Sequence, residues 1–151
     1  MVEQHILKGP AKLLDPQGNL TQAGWATQPV LEANLEDCHF YEARFLQWLR
    51  IKMWDYYAIT TPTHFFSFTV SHVGYLGMVF AYVIDFASGE FNEKTITVPL
   101  ASGIKLPRSS ESGSCEYEKG SLRLKFDTAK GKRHLSIHWP GFTQSALNAE
   151  V

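Results

Sequence analysis

Residues 54–86 read WDYYAITTPTHFFSFTVSHVGYLGMVFAYVIDF, and the alternation inside them decides the fold class. Tyr56 and Ala58 alternate with Tyr57 and Ile59. After a break at Thr61-Pro62, Phe66, Phe68 and Val70 alternate with Phe65, Ser67, Thr69 and Ser71. Beyond a turn flanked by Gly74 and Gly77, Met78, Phe80, Tyr82, Ile84 and Phe86 alternate with Val79, Ala81, Val83 and Asp85. A period of two, filled with aromatic and β-branched residues, belongs to extended strands, whose successive side chains point to opposite faces. Consecutive antiparallel strands follow, and the last, apolar on nearly both faces, is predicted to be central.

Downstream, Ser88-Gly89-Glu90 predicts a hairpin tip leading into a strand over 95–98, which Pro99 ends because it has no backbone donor. Residues 102–113 form the longest loop. A short strand begins at 116–118; Leu122, Leu124 and Phe126 then alternate with Arg123, Lys125 and Asp127, and Leu135, Ile137 and Trp139 repeat that face after a turn at 127–132. Upstream, Asp15-Pro16-Gln17-Gly18 has proline second and glycine fourth, as a type I turn prefers. Leu35, Cys38, Glu42, Phe45, Leu46 and Leu49 approach a helical stripe that Asn34 could cap, so at most one short helix is predicted near 35–49. Strands at intervals of about ten residues give a mainly β fold: one β-rich domain over 1–151, an antiparallel up-and-down meander forming a barrel or a sandwich.

Composition narrows the function. Aromatics make up 13% of the chain, which favours a core of planar side chains or an apolar pocket. Fourteen basic residues against fifteen acidic ones, with no face-forming basic run, supply no electrostatic footprint for nucleic acid. Lys130, Lys132 and Arg133 straddle Gly131 as solvated charges on a hairpin tip would, in preference to a phosphate site. The apolar run 75–84 is about half of the roughly 20 residues a membrane helix needs. Residues 1–10 show no secretory pattern, so a soluble, cytoplasmic protein is expected. Cys38 and Cys115 have no neighbouring Cys or His at metal spacing and read as free thiols.

No cofactor or metal motif emerges. His134 and His138 lie four apart on a strand, a span of about 13 Å that cannot close on one ion. His64 and His72 fail the same test at opposite ends of another strand. Ser110-Glu111-Ser112-Gly113 lacks the leading glycine of a nucleophile elbow, and no glycine-rich phosphate loop occurs. Asp55 and Asp85 each interrupt an aromatic strand. Burial beside apolar side chains would raise a carboxyl's pKa and make it a general acid; a strand-end carboxylate accepting hydrogen bonds is the alternative.

Five blocks occur in order: Leu13-Leu14-Asp15 to Gly24-Trp25-Ala26, Arg50-Ile51-Lys52-Met53-Trp54-Asp55-Tyr56-Tyr57, Gly74-Tyr75-Leu76-Gly77, Asp85-Phe86, and Leu106-Pro107-Arg108-Ser109-Ser110. Together they resemble the uncharacterised family DUF2804, specifically its N-terminal half. Residues 143–151 carry no motif of that family. The resemblance makes Trp54, Asp55, Tyr57, Gly74, Tyr75, Asp85, Pro107 and Ser110 motif positions without assigned roles. It also implies a distant similarity to lipocalin-like, calycin-type double barrels such as carotenoid hydratase-like and tocopherol cyclase-like proteins.

The resulting expectation is a lipocalin-like module that holds an apolar small molecule against Trp54, Tyr57, Phe66, Phe68, Phe80 and Tyr82. One alternative is a hydratase, isomerase or cyclase acting on a lipophilic substrate through Asp55 or Asp85. Another is a non-catalytic half that pairs with a second copy or a partner barrel. An exposed apolar patch or an unpaired strand edge would mark that case.

Overall fold

In a computed structural model that describes residues 5–7, 12–30, 32–39 and 41–151, eight strands form two sheets. The first holds β1 (Met53–Thr60), β2 (His64–His72), β3 (Leu76–Asp85) and β4 (Phe91–Pro99). The second holds β5 (Gly113–Lys119), β6 (Leu122–Ala129), β7 (Lys132–Trp139) and β8 (Leu147–Glu150). Within each sheet, strands lie in chain order and every pair is antiparallel. Each sheet is therefore an up-and-down meander.

The alternation of residues 54–86 translates directly into register. Tyr57 pairs with Phe68 and Phe68 with Ala81, while one step along Tyr56 pairs with Thr69 and Thr69 with Phe80. One phase faces the second sheet. Phe68, Val70, Val79, Ala81 and Val98 pack there against Cys115, Tyr117, Leu124, Phe126, Leu135, Ile137 and Trp139. Tyr57 meets Phe126 edge to face with ring centroids 5.1 Å apart, closing the core beneath β1.

The barrel expectation is overturned. The sheets stack in a sandwich-like arrangement, and neither they nor the two together close into a calycin-type cylinder, because β1 and β4 remain the edges of the first sheet and β5 and β8 those of the second. Closure needs an edge strand to find a partner strand. The turns of 100–112 instead carry the chain to a fresh sheet: Leu100 and Ala101 take positive φ, and an isolated bridge joins Lys105 to Glu116 of β5.

The described residues of 35–49 hold two 3-10 segments, Leu35–Asp37 and Arg44–Leu49. Phe45 points into solvent, so the helical stripe does not become a buried face. Asn34 makes no helix cap. Its amide accepts from the Leu14 N–H at 3.0 Å and donates to the Leu14 carbonyl at 3.1 Å and to Asp37 at 2.8 Å. The turn at 15–18 forms as predicted: the Gly18 N–H donates to the Asp15 carbonyl, and a side chain at Gly18 would collide with the Asp37 carbonyl. The sequence reading missed β8, where only Leu147 and Ala149 alternate inward.

Candidate functional site

β1 is an edge strand, so the start of its ladder is open to one side. Segments 33–36 and 106–110 come to lie beside it. Ala33 donates its N–H to the Arg108 carbonyl, and the Ser110 hydroxyl donates to the Val30 carbonyl at 2.6 Å. The Arg108 guanidinium reaches Glu32 at 2.8 Å and Glu36 at 2.6 Å. On the strand side, the Lys52 ammonium donates to the carbonyls of Leu49 and Val73 and stands 4.9 Å from the centre of the Tyr75 ring. Between these walls is a cleft of about 470 Å³ lined by Leu35, Met53, Trp54, Asp55, Leu106 and Pro107 with flanking polar residues. That volume falls within the range of small-molecule sites.

Two carboxylates line the cleft: Glu36, exposed and paired with Arg108, and Asp55. Asp55 sits on the inward phase of β1, half-buried, and desolvation lifts its carboxyl above the ordinary carboxylate range. The Cys115 thiol and the more distant Arg133 guanidinium both act in the opposite direction, without overcoming burial. Cys115 is fully buried, and desolvation first, then the Asp55 charge, pushes its thiol far above the usual range. A thiol so held is a hydrogen-bond partner, not a nucleophile.

Asp85 lies at the other end of the sheet, about 20 Å along β2 from Asp55's neighbour Val70. Its Oδ1 accepts from the N–H groups of Ser88 and Ala87 at 2.9 and 2.8 Å, and these bonds hold its pKa below the ordinary value. His64 pairs with it at 3.3 Å. It is a hairpin anchor.

The six aromatic positions proposed for one ligand divide between the two faces of the first sheet. Tyr57, Phe66 and Phe68 point to the second sheet, with Phe68 fully buried in the core. Trp54, Phe80 and Tyr82 are on the outer face, and of the six only Trp54 lines the cleft. That outer face has no covering layer among the described residues. Trp54 is 62% exposed, Tyr56 46% and Phe91 55%, and the strands contribute one charged side chain there, Glu93. Phe65 stacks on Tyr82 at 5.8 Å and Tyr82 leans on Phe91 at 5.7 Å. The signal for this face was the same alternation; its lack of cover is a tertiary fact.

Among the described residues, no group of three or more His, Cys, Asp or Glu could hold a metal ion, and no helix is long and apolar enough to cross a membrane. His134 and His138 are directed outward on β7, where they meet Glu150 and Asn148. Both cysteines are buried.

In comparison with known proteins, the family described as Domain of unknown function (DUF2804) aligns with residues 3–151. The match includes residues 143–151, which had offered no legible motif. No curated protein and no solved structure matches the chain.

Proposed function

The chain belongs to the DUF2804 family, and from that premise we propose that it is a binding module whose cleft beside β1 takes an apolar small molecule. One observation carries the reading. The two blocks Lys52-Met53-Trp54-Asp55 and Leu106-Pro107-Arg108-Ser109-Ser110, a third of the chain apart in sequence, line one cleft. A wall of Leu35, Met53, Trp54, Leu106 and Pro107 offers apolar contact, and Asp55 is the half-buried carboxyl among its polar lining.

Titration with N-phenyl-1-naphthylamine, a neutral apolar fluorophore, tests this. Saturable binding that weakens about tenfold in Met53→Glu, a change at an exposed position, is the expected result. Affinity unchanged in that variant would remove the cleft from consideration.

Asp55 favours a second reading, an enzyme that protonates an apolar alkene from this carboxyl. It predicts deuterium incorporation from D2O into a bound alkene by the native protein and none by Asp55→Asn, with fluorophore binding retained in both. The uncovered aromatic face supports the remaining reading, pairing with another protein surface. Sedimentation velocity at rising concentration tests it, and a constant monomer would exclude self-association.

A further inference from the structure

Ser109 and Ser110 form one end of the cleft's lining. Those two residues also line a second concavity of about 680 Å³, whose other walls include Ser112, Lys130, Gly131 and Arg133. We propose that the two form one amphiphile site: the apolar body of the ligand lies in the cleft, and a carboxylate, sulfate or phosphate group on the same molecule sits against Lys130 and Arg133. The proposal rests on the cleft reading above and adds the ligand's charge.

The chemistry follows from how these cations are held. Arg133 lies at the end of β7 on the phase that faces the first sheet, the same phase as Leu135 and Ile137. Its guanidinium donates to the Ser110 carbonyl at 2.6 Å and to the Lys132 carbonyl at 3.4 Å. Both acceptors are neutral, so they fix the group without cancelling its charge. Arg108, on the cleft side, is matched instead by Glu32 and Glu36. Among the described residues, neither Lys130 nor Arg133 has a carboxylate within ion-pair distance.

Glu111 also lines the concavity and is the opposing charge there. With Lys130 and Arg133 as +2 and Glu111 as −1, the lining keeps a net charge of +1. The Ser109 hydroxyl accepts from the Glu111 N–H at 3.1 Å, which leaves its own proton to donate.

1-Anilinonaphthalene-8-sulfonate and N-phenyl-1-naphthylamine share one ring system and differ by the sulfonate. The double variant Lys130→Gln/Arg133→Gln alters only exposed side chains, and its thermal unfolding should match the native protein. We expect it to bind the sulfonate dye about fivefold more weakly and the neutral dye within about twofold of the native protein. Raising salt should erode the native preference for the sulfonate. Equal sulfonate affinity in native and double variant, or a parallel loss of both dyes, would overturn the anionic subsite. Neutral-dye binding that ignores Met53→Glu would instead defeat the cleft reading beneath it. Vesicles of phosphatidylglycerol that sediment the native protein but not the double variant would assign the anion to a bilayer and overturn the small-molecule form.

Discussion

The phenol oxygens of Tyr56 and Tyr82 stand 3.2 Å apart, joining β1 to β3 over the top of β2. Tyr56 is the cross-strand partner of Thr69, and Tyr82 that of Ser67, so the bridge spans two small hydroxyl residues on the outer face. Both are buried, and among the described residues neither hydroxyl oxygen has a hydrogen-bond partner. The Tyr82 hydroxyl is influenced by Ser67 close by, though not in a geometry that satisfies the serine.

An unsatisfied buried hydroxyl costs stability that an apolar isostere would not, and valine suits a strand at least as well as threonine. Thr69→Val should therefore stabilise the protein by about 1 kcal/mol, a rise of about 2–4 °C in Tm for a chain of this size. Urea unfolding measures it. A destabilised variant would mean that Thr69 has a hydrogen bond the structure does not show.

Asp55 and Asp85 should respond to pH in opposite ways. Burial raises the Asp55 pKa above its ordinary 3.8, so the folded protein holds that proton more tightly than the unfolded chain. Its contribution to stability is then greatest at low pH and declines as pH rises through the window above 3.8. Stability of Asp55→Asn relative to the native protein should thus improve between about pH 4 and pH 7. Parallel stability curves would place Asp55 in water.

Backbone donors lower the Asp85 pKa, so its contribution is complete above the ordinary 3.8 and disappears as pH falls through the lower folded value. Asp85→Ala should accordingly cost more stability at neutral pH than in strong acid, as chemical denaturation at the two pH values would show. An equal loss at both would mean that the turn does not depend on the carboxylate.

Cys115 should be inert while the protein is folded. In a Cys38→Ser background, a disulfide reagent at pH 8 should label it at least about a hundredfold more slowly than in urea. Comparable rates would show that the thiol reaches solvent.

The strands were legible because they are local. Phe66-Ser67-Phe68-Thr69-Val70 announces its period within five residues, and the register of β1, β2 and β3 follows once the turns are placed. Barrel closure was not legible, since it depends on whether the edges β1 and β8 find partners, and no short stretch of sequence records that. The same limit separated Phe68 from Phe80: alternation puts them on opposite faces but cannot say which face is covered. Asp55 and Asp85 looked equivalent as acids among aromatics. One lies on the inward phase beside Cys115, and the other at a hairpin corner whose N–H groups claim it. Segment 106–110 looked like loop, and only its return to Val30, Ala33 and β1 makes it a wall.

Titration of ¹⁵N-labelled protein with N-phenyl-1-naphthylamine, followed by backbone amide shifts, tests the cleft most directly. Cleft binding predicts saturable shifts concentrated at 33–36, 52–55 and 106–110, with residues 91–97 on the far edge strand unmoved. Shifts centred instead on Phe80, Tyr82 and Phe91 would contradict it and make the open aromatic face the binding surface.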